Sequence, residues 1–169
     1  MTRRAASTRV EIRQAVAADA DRIHGALLDL GDHVGEQHKI KSTPADIRRY
    51  GFGTDARFHT LIAEGNGIFA GICIYFPSFS TWLGVPGVYI QDIVVDRDFR
   101  GQGIGERLLR EVARLTHAEG ARYMRLAVDV ENLSAQAFYD RLGFQLVKDD
   151  MIRAAYGEAF AALVKGEDE

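Results

Sequence analysis

Tyr89-Ile90-Gln91-Asp92-Ile93-Val94-Val95-Asp96-Arg97-Asp98-Phe99-Arg100-Gly101-Gln102-Gly103-Ile104-Gly105 reads as a strand, a glycine-rich loop and the start of a helix. Ile93-Val94-Val95 is a continuous apolar run, the pattern of a strand buried on both faces. Beyond the loop, Leu108, Leu109, Val112 and Leu115 line one helix face, with Glu106, Arg110, Glu111 and Arg114 off it. The first amides of such a helix lack internal partners, and the dipole there is positive. Gly101, Gly103 and Gly105 let the backbone approach a ligand closely, and Arg100 adds a fixed charge with paired donors. Together these features suit phosphate groups.

Three phosphate-binding patterns compete for the loop. A dinucleotide fingerprint needs a third glycine or alanine at position 106, where this chain has Glu106, and its first glycine follows the strand directly, whereas residues 96–100 intervene here. A P-loop needs Gly-Lys-Ser/Thr, which is absent. The third pattern, Arg-x-x-Gly-x-Gly, is met by Arg100, Gly103 and Gly105. The plain alternative is a helix start with glycines for close packing.

Working outward, Val10–Gln14 alternates like a short strand, and Asp19 then caps a helix with Ile23, Leu27 and Leu30 on its apolar face, ended by Gly31. Residues 31–42 are polar and read as a loop. Thr43-Pro44 opens a second short helix that stops at Gly51. Strands over 58–64 and 68–76 meet at Gly65-Asn66-Gly67, a hairpin signal, and 88–95 is a third strand. After the helix over 103–120 come a strand at 124–128, a helix at 134–142, strands at 144–147 and 152–155, and a closing helix at 158–164. This order indicates an α/β or α+β fold with a partly parallel sheet.

The chain has 169 residues, 47% apolar and 27% charged, with a formal charge of −3, which suits one soluble globular domain spanning 1–169. No basic run points to nucleic acid, and Arg3, Arg4 and Arg9 read as a frayed terminus. No apolar stretch reaches the roughly 18 residues of a membrane helix, and no apolar run follows the basic start as in a secretory signal. The single Cys73 can form neither an internal disulfide nor a zinc site alone; it reads as a small core residue. No metal site is expected, and a cytoplasmic protein is.

A second segment agrees with the first. Asn132, Ala135, Phe138-Tyr139 and Gly143-Phe144 stand in the order of the second signature of the GNAT N-acetyltransferases, about 30 residues after the Arg-x-x-Gly-x-Gly loop. From Val10 to about Val164 the chain resembles that family. The resemblance implies a mixed, mostly antiparallel sheet of six to seven strands with a central parallel pair, and helices on both faces. It implies acetyl-CoA as cosubstrate, bound where the parallel strands splay. Ile93, Val94 and Val95 would then offer backbone groups to the pantetheine arm and thioester oxygen. Arg100, Gly101, Gln102, Gly103, Ile104, Gly105 and Glu106 would hold the pyrophosphate, and Asn132, Ser134 and Ala135 would line the other side. Tyr139 would give a proton to the leaving thiolate, or else simply pack beside Phe138. The amine must first lose a proton. Asp92, Glu64 and Glu36 are candidate bases, with His24, His33, His38 and His59 behind them, and Asp92 is best placed. A homodimer is the family's common form.

Within the family the chain is similar to the diamine (spermidine/spermine) N-acetyltransferase branch. The similarity lies in Tyr50-Gly51-Phe52-Gly53, Trp82-Leu83-Gly84 and Tyr89-Ile90-Gln91-Asp92. It departs where Gln91 replaces a glutamate, Ser80 an aspartate and Arg125 a histidine. Fewer acids weaken attraction for a polycation. The acceptor is therefore expected to be a small primary amine, such as a polyamine, amino acid or amino-antibiotic. A peptide or protein acceptor, and a CoA-binding sensor without turnover, are the alternatives.

Overall fold

The structure, a computed structural model, describes residues 9–165. Arg3 and Arg4 lie outside them; Arg9 lies 3.8 Å from Glu11, both side chains exposed. The chain divides into two compact units that meet in sequence between Asp129 and Val130.

The first unit is built on five strands: β1 (Val10–Gln14), β2 (His59–Gly65), β3 (Ile68–Ser80), β4 (Val85–Val95) and β5 (Met124–Leu126), in the spatial order β1-β2-β3-β4-β5. The first three pairings are antiparallel, and only β4 with β5 is parallel. The turn between β2 and β3 has Asn66 at φ 53° and Gly67 at φ 77°, the left-handed pair that a tight hairpin demands. Helix α1 (Ala20–His33) and helix α2 (Pro44–Gly51) precede β2, and α3 (Ile104–Ala118) links β4 to β5. Thr43 caps α2 reciprocally with Asp46.

Side chains alternate across a strand, so one face of the sheet carries Ile62, Ile72, Ile74 and Val94, packed against Ala20, Ile23 and Ala26 of α1 and Ile47 of α2. The opposite face, with Leu61, Ala63 and Cys73, lies under α3, and Leu108 of that helix comes within 3.5 Å of where a Gly71 Cβ would stand. Helices thus cover both faces, as expected.

Asp19 does not cap α1 with its side chain. Its buried carboxylate receives Nη1 and Nη2 of Arg13 at 2.7 and 2.9 Å and the Val16 amide at 2.8 Å. The same guanidinium donates from Nε to Glu64 at 2.8 Å, tying β1 to β2 beside a bulge at Ala63/Glu64.

The second unit holds α4 (Leu133–Arg141) and α5 (Gly157–Lys165). The strands expected at 144–147 and 152–155 are not formed among the described residues, so five strands replace the six or seven expected. The parallel pair also sits at the edge of the described sheet rather than at its centre. Short apolar runs such as Phe144-Gln145-Leu146-Val147 carry β propensity. Whether they become strands depends on a ladder partner elsewhere in the chain, which no local pattern specifies.

Candidate active site

β4 pairs with β5 only through Val88, Tyr89 and Ile90, and it then runs five residues further to Val95 without that neighbour. Its register against β3 slips there: Ile74 faces Asp92 and Tyr75 faces Ile90, so Gln91 is the extra residue of a β-bulge. Beyond the bulge, Asp96 N–H donates to Ala70 O at 2.9 Å. Hydrogen-bonded pairs alternate in an antiparallel ladder, so the main-chain groups of Val94 face β3. Those of Ile93 and Val95 face the side that β5 has left. The sequence pattern found this strand but gave no sign of the bulge.

The loop after β4 is organised by its own side chains. Asp96 accepts from the Asp98 amide at 2.9 Å, Phe99 is buried as an anchor, and Gln102 donates to Asp98 O at 3.2 Å. Gly101 and Gly103 have φ of 74° and 73°, and nothing stands within 4 Å of where their Cβ atoms would be. Only glycine takes this backbone freely. Gly103 is the N-cap of α3 and offers no side-chain acceptor, so the amides of Ile104, Gly105 and Glu106 open the helix without a side-chain cap. Arg100 bends back, its Nε donating to Val95 O at 3.2 Å. Its terminal nitrogens have no hydrogen-bond partner among the described residues. The Glu106 carboxylate is turned along the helix and held by Arg110 at 2.7 Å.

On the α1 face of β4, Asp92 lines a cleft of about 400 Å³. Leu27, Leu30 and Gly31 of α1 form one side, and Val34, Ile40, Lys41 and Ser42 come from the segment between α1 and α2. That segment, read from sequence as a polar loop, is a wall of the site. Two contacts seat it. A Cβ at Gly31 would stand 2.9 Å from Gln37 Cα, and Ser42 O accepts from His24 Nε2 at 2.7 Å. Burial pushes the Asp92 carboxyl above its ordinary range.

Of the other proposed bases, Glu64 is held by Arg13, with Arg22 beside it, which lowers its pKa. Glu36 lines the cleft but is paired with Lys39. His24 is a donor to a carbonyl, while His33, His38 and His59 are exposed. Cys73 is fully buried and its thiol is pushed up to about 12 by that burial, which makes it a core residue.

In the second unit, Asn132 caps α4, its Oδ1 accepting from Ala135 N and Ser134 Oγ, each at 3.1 Å. Tyr139 is half-buried, with ring centroids 5.2 Å from Phe138 and 5.4 Å from Phe144 in edge-on contacts.

Against known families, the Acetyltransferase (GNAT) family matches residues 27–144, which include the bulged strand, the glycine loop and α4. The chain belongs to the GNAT acetyltransferases. It is thereby an acetyl-CoA-dependent N-acetyltransferase, and the dinucleotide fingerprint weighed for the loop falls away. This GNAT enzyme is 34% identical over 148 residues to the thialysine N-epsilon-acetyltransferase of Mus musculus, covering 83% of this chain and 85% of that one. It is 26% identical over 140 residues to the spermidine/spermine N(1)-acetyltransferase-like protein 1 of Homo sapiens, covering 79% of this chain and 20% of that longer one. The likeness to the diamine branch seen in the sequence is met by these relatives. Among solved structures, an integron cassette protein from the V. cholerae mobile metagenome shares the fold at a TM-score of 0.78 with 19% identity, over 93% of this chain and 98% of that one.

Proposed function

We propose that this GNAT enzyme moves the acetyl group of acetyl-CoA directly to a primary amine of a small molecule. The observation that carries the reading is the placement of Asp92 and Ile93 in succession on β4. Asp92 lines an open cleft of about 400 Å³, and the main-chain groups of Ile93 face the splay. That volume suits a small ligand.

The chain's residues fit the cosubstrate. The uncapped amides of Ile104, Gly105 and Glu106, the open backbone at Gly101, Gln102 and Gly103, and the unpartnered end of Arg100 form an anion cradle for a pyrophosphate. Ile93, Val94 and Val95 supply the strand edge for the pantetheine arm, and the family motif assigns Asn132, Ser134 and Ala135 to cosubstrate binding as well. Acetyl-CoA, when bound, supplies an activated acyl group with a thiolate leaving group. The Ile93 or Val95 N–H that faces the splay then stabilises negative charge on the acyl oxygen. Asp92 takes the ammonium proton, directly or through water. Its burial brings its pKa nearer the working pH, as a general base requires. Gln91, an exposed amide on the bulge, cannot do this. Tyr139 donates the proton to the departing sulfur, a role supported by its motif position and by its clamped ring.

The thialysine enzyme among the relatives supports an acceptor with a terminal amine on a short aliphatic chain. We also propose that residues 1–169 form one domain, that two copies form a homodimer, and that the enzyme works in the cytoplasm without a metal, nucleic acid or membrane. The family resemblance, the formal charge of −3 and the buried, unpaired Cys73 support this setting.

The test is thiol release from acetyl-CoA over polyamines, amino acids, aminoglycosides and short peptides. Turnover with small amines, falling about a hundredfold or more in Tyr139→Phe, supports the reading. Phenylalanine keeps the contacts to Phe138 and Phe144, so this variant removes only the hydroxyl. Binding of CoA with no turnover of any amine, or turnover of peptides alone, overturns it.

A further inference from the structure

The segment that walls the Asp92 cleft carries an amine of its own. Lys41 and Asp92 line the same cleft of about 400 Å³. Neither has a hydrogen-bond or ion-pair partner among the described residues. The backbone on both sides of Lys41 is anchored. Ile40 N–H donates to Gln37 O at 3.0 Å, and the Ile40 side chain lies over Gly31. Ser42 O accepts from His24 Nε2 at 2.7 Å, and Thr43 N–H donates to Asp46 Oδ2 at 2.8 Å in the cap of α2. Lys41 is therefore a flexible side chain on a fixed stem at the cleft, which raises the effective concentration of its amine at Asp92. Of the chain's other lysines, Lys39 lines the cleft but is paired with Glu36, and Lys148 and Lys165 belong to the second unit.

We propose that Lys41 is a modification site of the enzyme's own making: when no free amine occupies the cleft, the chain acetylates its own Lys41. The Lys41 ammonium gives one proton to Asp92, and the neutral Nζ attacks the carbonyl carbon of the thioester. A C–N bond forms and the C–S bond breaks. The sulfur keeps the electron pair and receives a second proton from the nitrogen. The products are an amide on Nζ, the free thiol of coenzyme A and one proton on Asp92, which passes to water. The modification removes the free cation of the cleft. This inference rests on the reading of the Asp92 cleft as the acceptor site, and goes past it by naming a residue of the chain as a substrate.

The acetylated lysines of the full chain are mapped by mass spectrometry before and after incubation with acetyl-CoA alone. One acetyl group per chain is expected at Lys41. It should form about tenfold or more faster than at Lys39, Lys148 or Lys165, with a rate constant independent of protein concentration. Asp92→Asn should slow it about a hundredfold or more, and Lys41→Arg should remove it. The rise in melting temperature with coenzyme A reports whether both variants are folded. A small amine that the enzyme turns over should protect Lys41, because it occupies the same cleft. Equal labelling of all the lysines, an unchanged rate at Lys41 in Asp92→Asn, or a rate constant that rises with protein concentration overturns the inference. Turnover of small amines in the same samples then leaves the small-amine reading intact. Neither labelling of Lys41 nor turnover of any amine overturns both.

Discussion

Asp92 and Glu64 are both strand carboxylates, and their surroundings push them in opposite directions. The guanidiniums of Arg13 and Arg22 stabilise the ionised form of Glu64, whereas Asp92 has burial as its only cause of shift. Protonation of Asp92 therefore favours the native state. Its contribution to stability is full below the unfolded pKa, about 3.9 for aspartate, and is lost as pH rises through the higher folded one. Activity runs the other way, since a base works only once deprotonated. The acid limb of kcat/KM is expected above the ordinary aspartate range. Asp92→Asn is expected to abolish that limb and lower kcat about a hundredfold or more, with no loss of melting temperature at neutral pH. An unshifted limb, or an Asn variant that keeps its rate, would remove Asp92 from the role of base.

At the scale of elements, two close approaches set the two halves of the site. A Cβ at Gly71 of β3 would stand 2.5 Å from Val94 O, so Gly71 lets β3 lie against the part of β4 whose outer groups face the splay. A Cβ at Gly31 of α1 would stand 2.9 Å from Gln37 Cα, so Gly31 lets the cleft wall seat on the helix. Val94 O and Gln37 Cα are backbone atoms, which cannot turn aside as a side chain can, and at Gly31 the Ile40 side chain would be nearer still, its Cδ1 at 2.6 Å. Gly31→Ala is expected to raise the KM of the amine several-fold with little change for acetyl-CoA. Gly71→Ala is expected to raise the KM of acetyl-CoA and to lower the melting temperature, as over-packing costs about 1–3 kcal/mol. Steady-state kinetics with each substrate varied in turn distinguish the two patterns. The same outcome from both substitutions would mean that the halves are not separate.

For the whole molecule, binding to the native state alone stabilises it by mass action. Coenzyme A at a hundred times its Kd should add about 2.7 kcal/mol, or roughly 5–10 °C in melting temperature for a chain of this size. NADH at the same concentration should add nothing, and a shift with NADH would contradict the reading of the glycine loop. This loop was legible because its chemistry is local: Arg100, Gly103 and Gly105 have to follow one another, and left-handed glycines and an amphipathic helix leave marks in consecutive residues. The strands of the first unit, the hairpin at Asn66-Gly67 and the capped α2 were legible for the same reason. The sequence by itself therefore determined the family, the cosubstrate that the family implies, and the glycine loop proposed to hold it. The tertiary structure alone decided the rest: the bulge at Gln91, the five-stranded sheet, the capture of Asp19 and Glu64 by Arg13, and the placing of Lys41 and Asp92 on one cleft. Each of these depends on a partner distant in the chain, and pairing of that kind is an energy of proximity that no periodicity in one segment records.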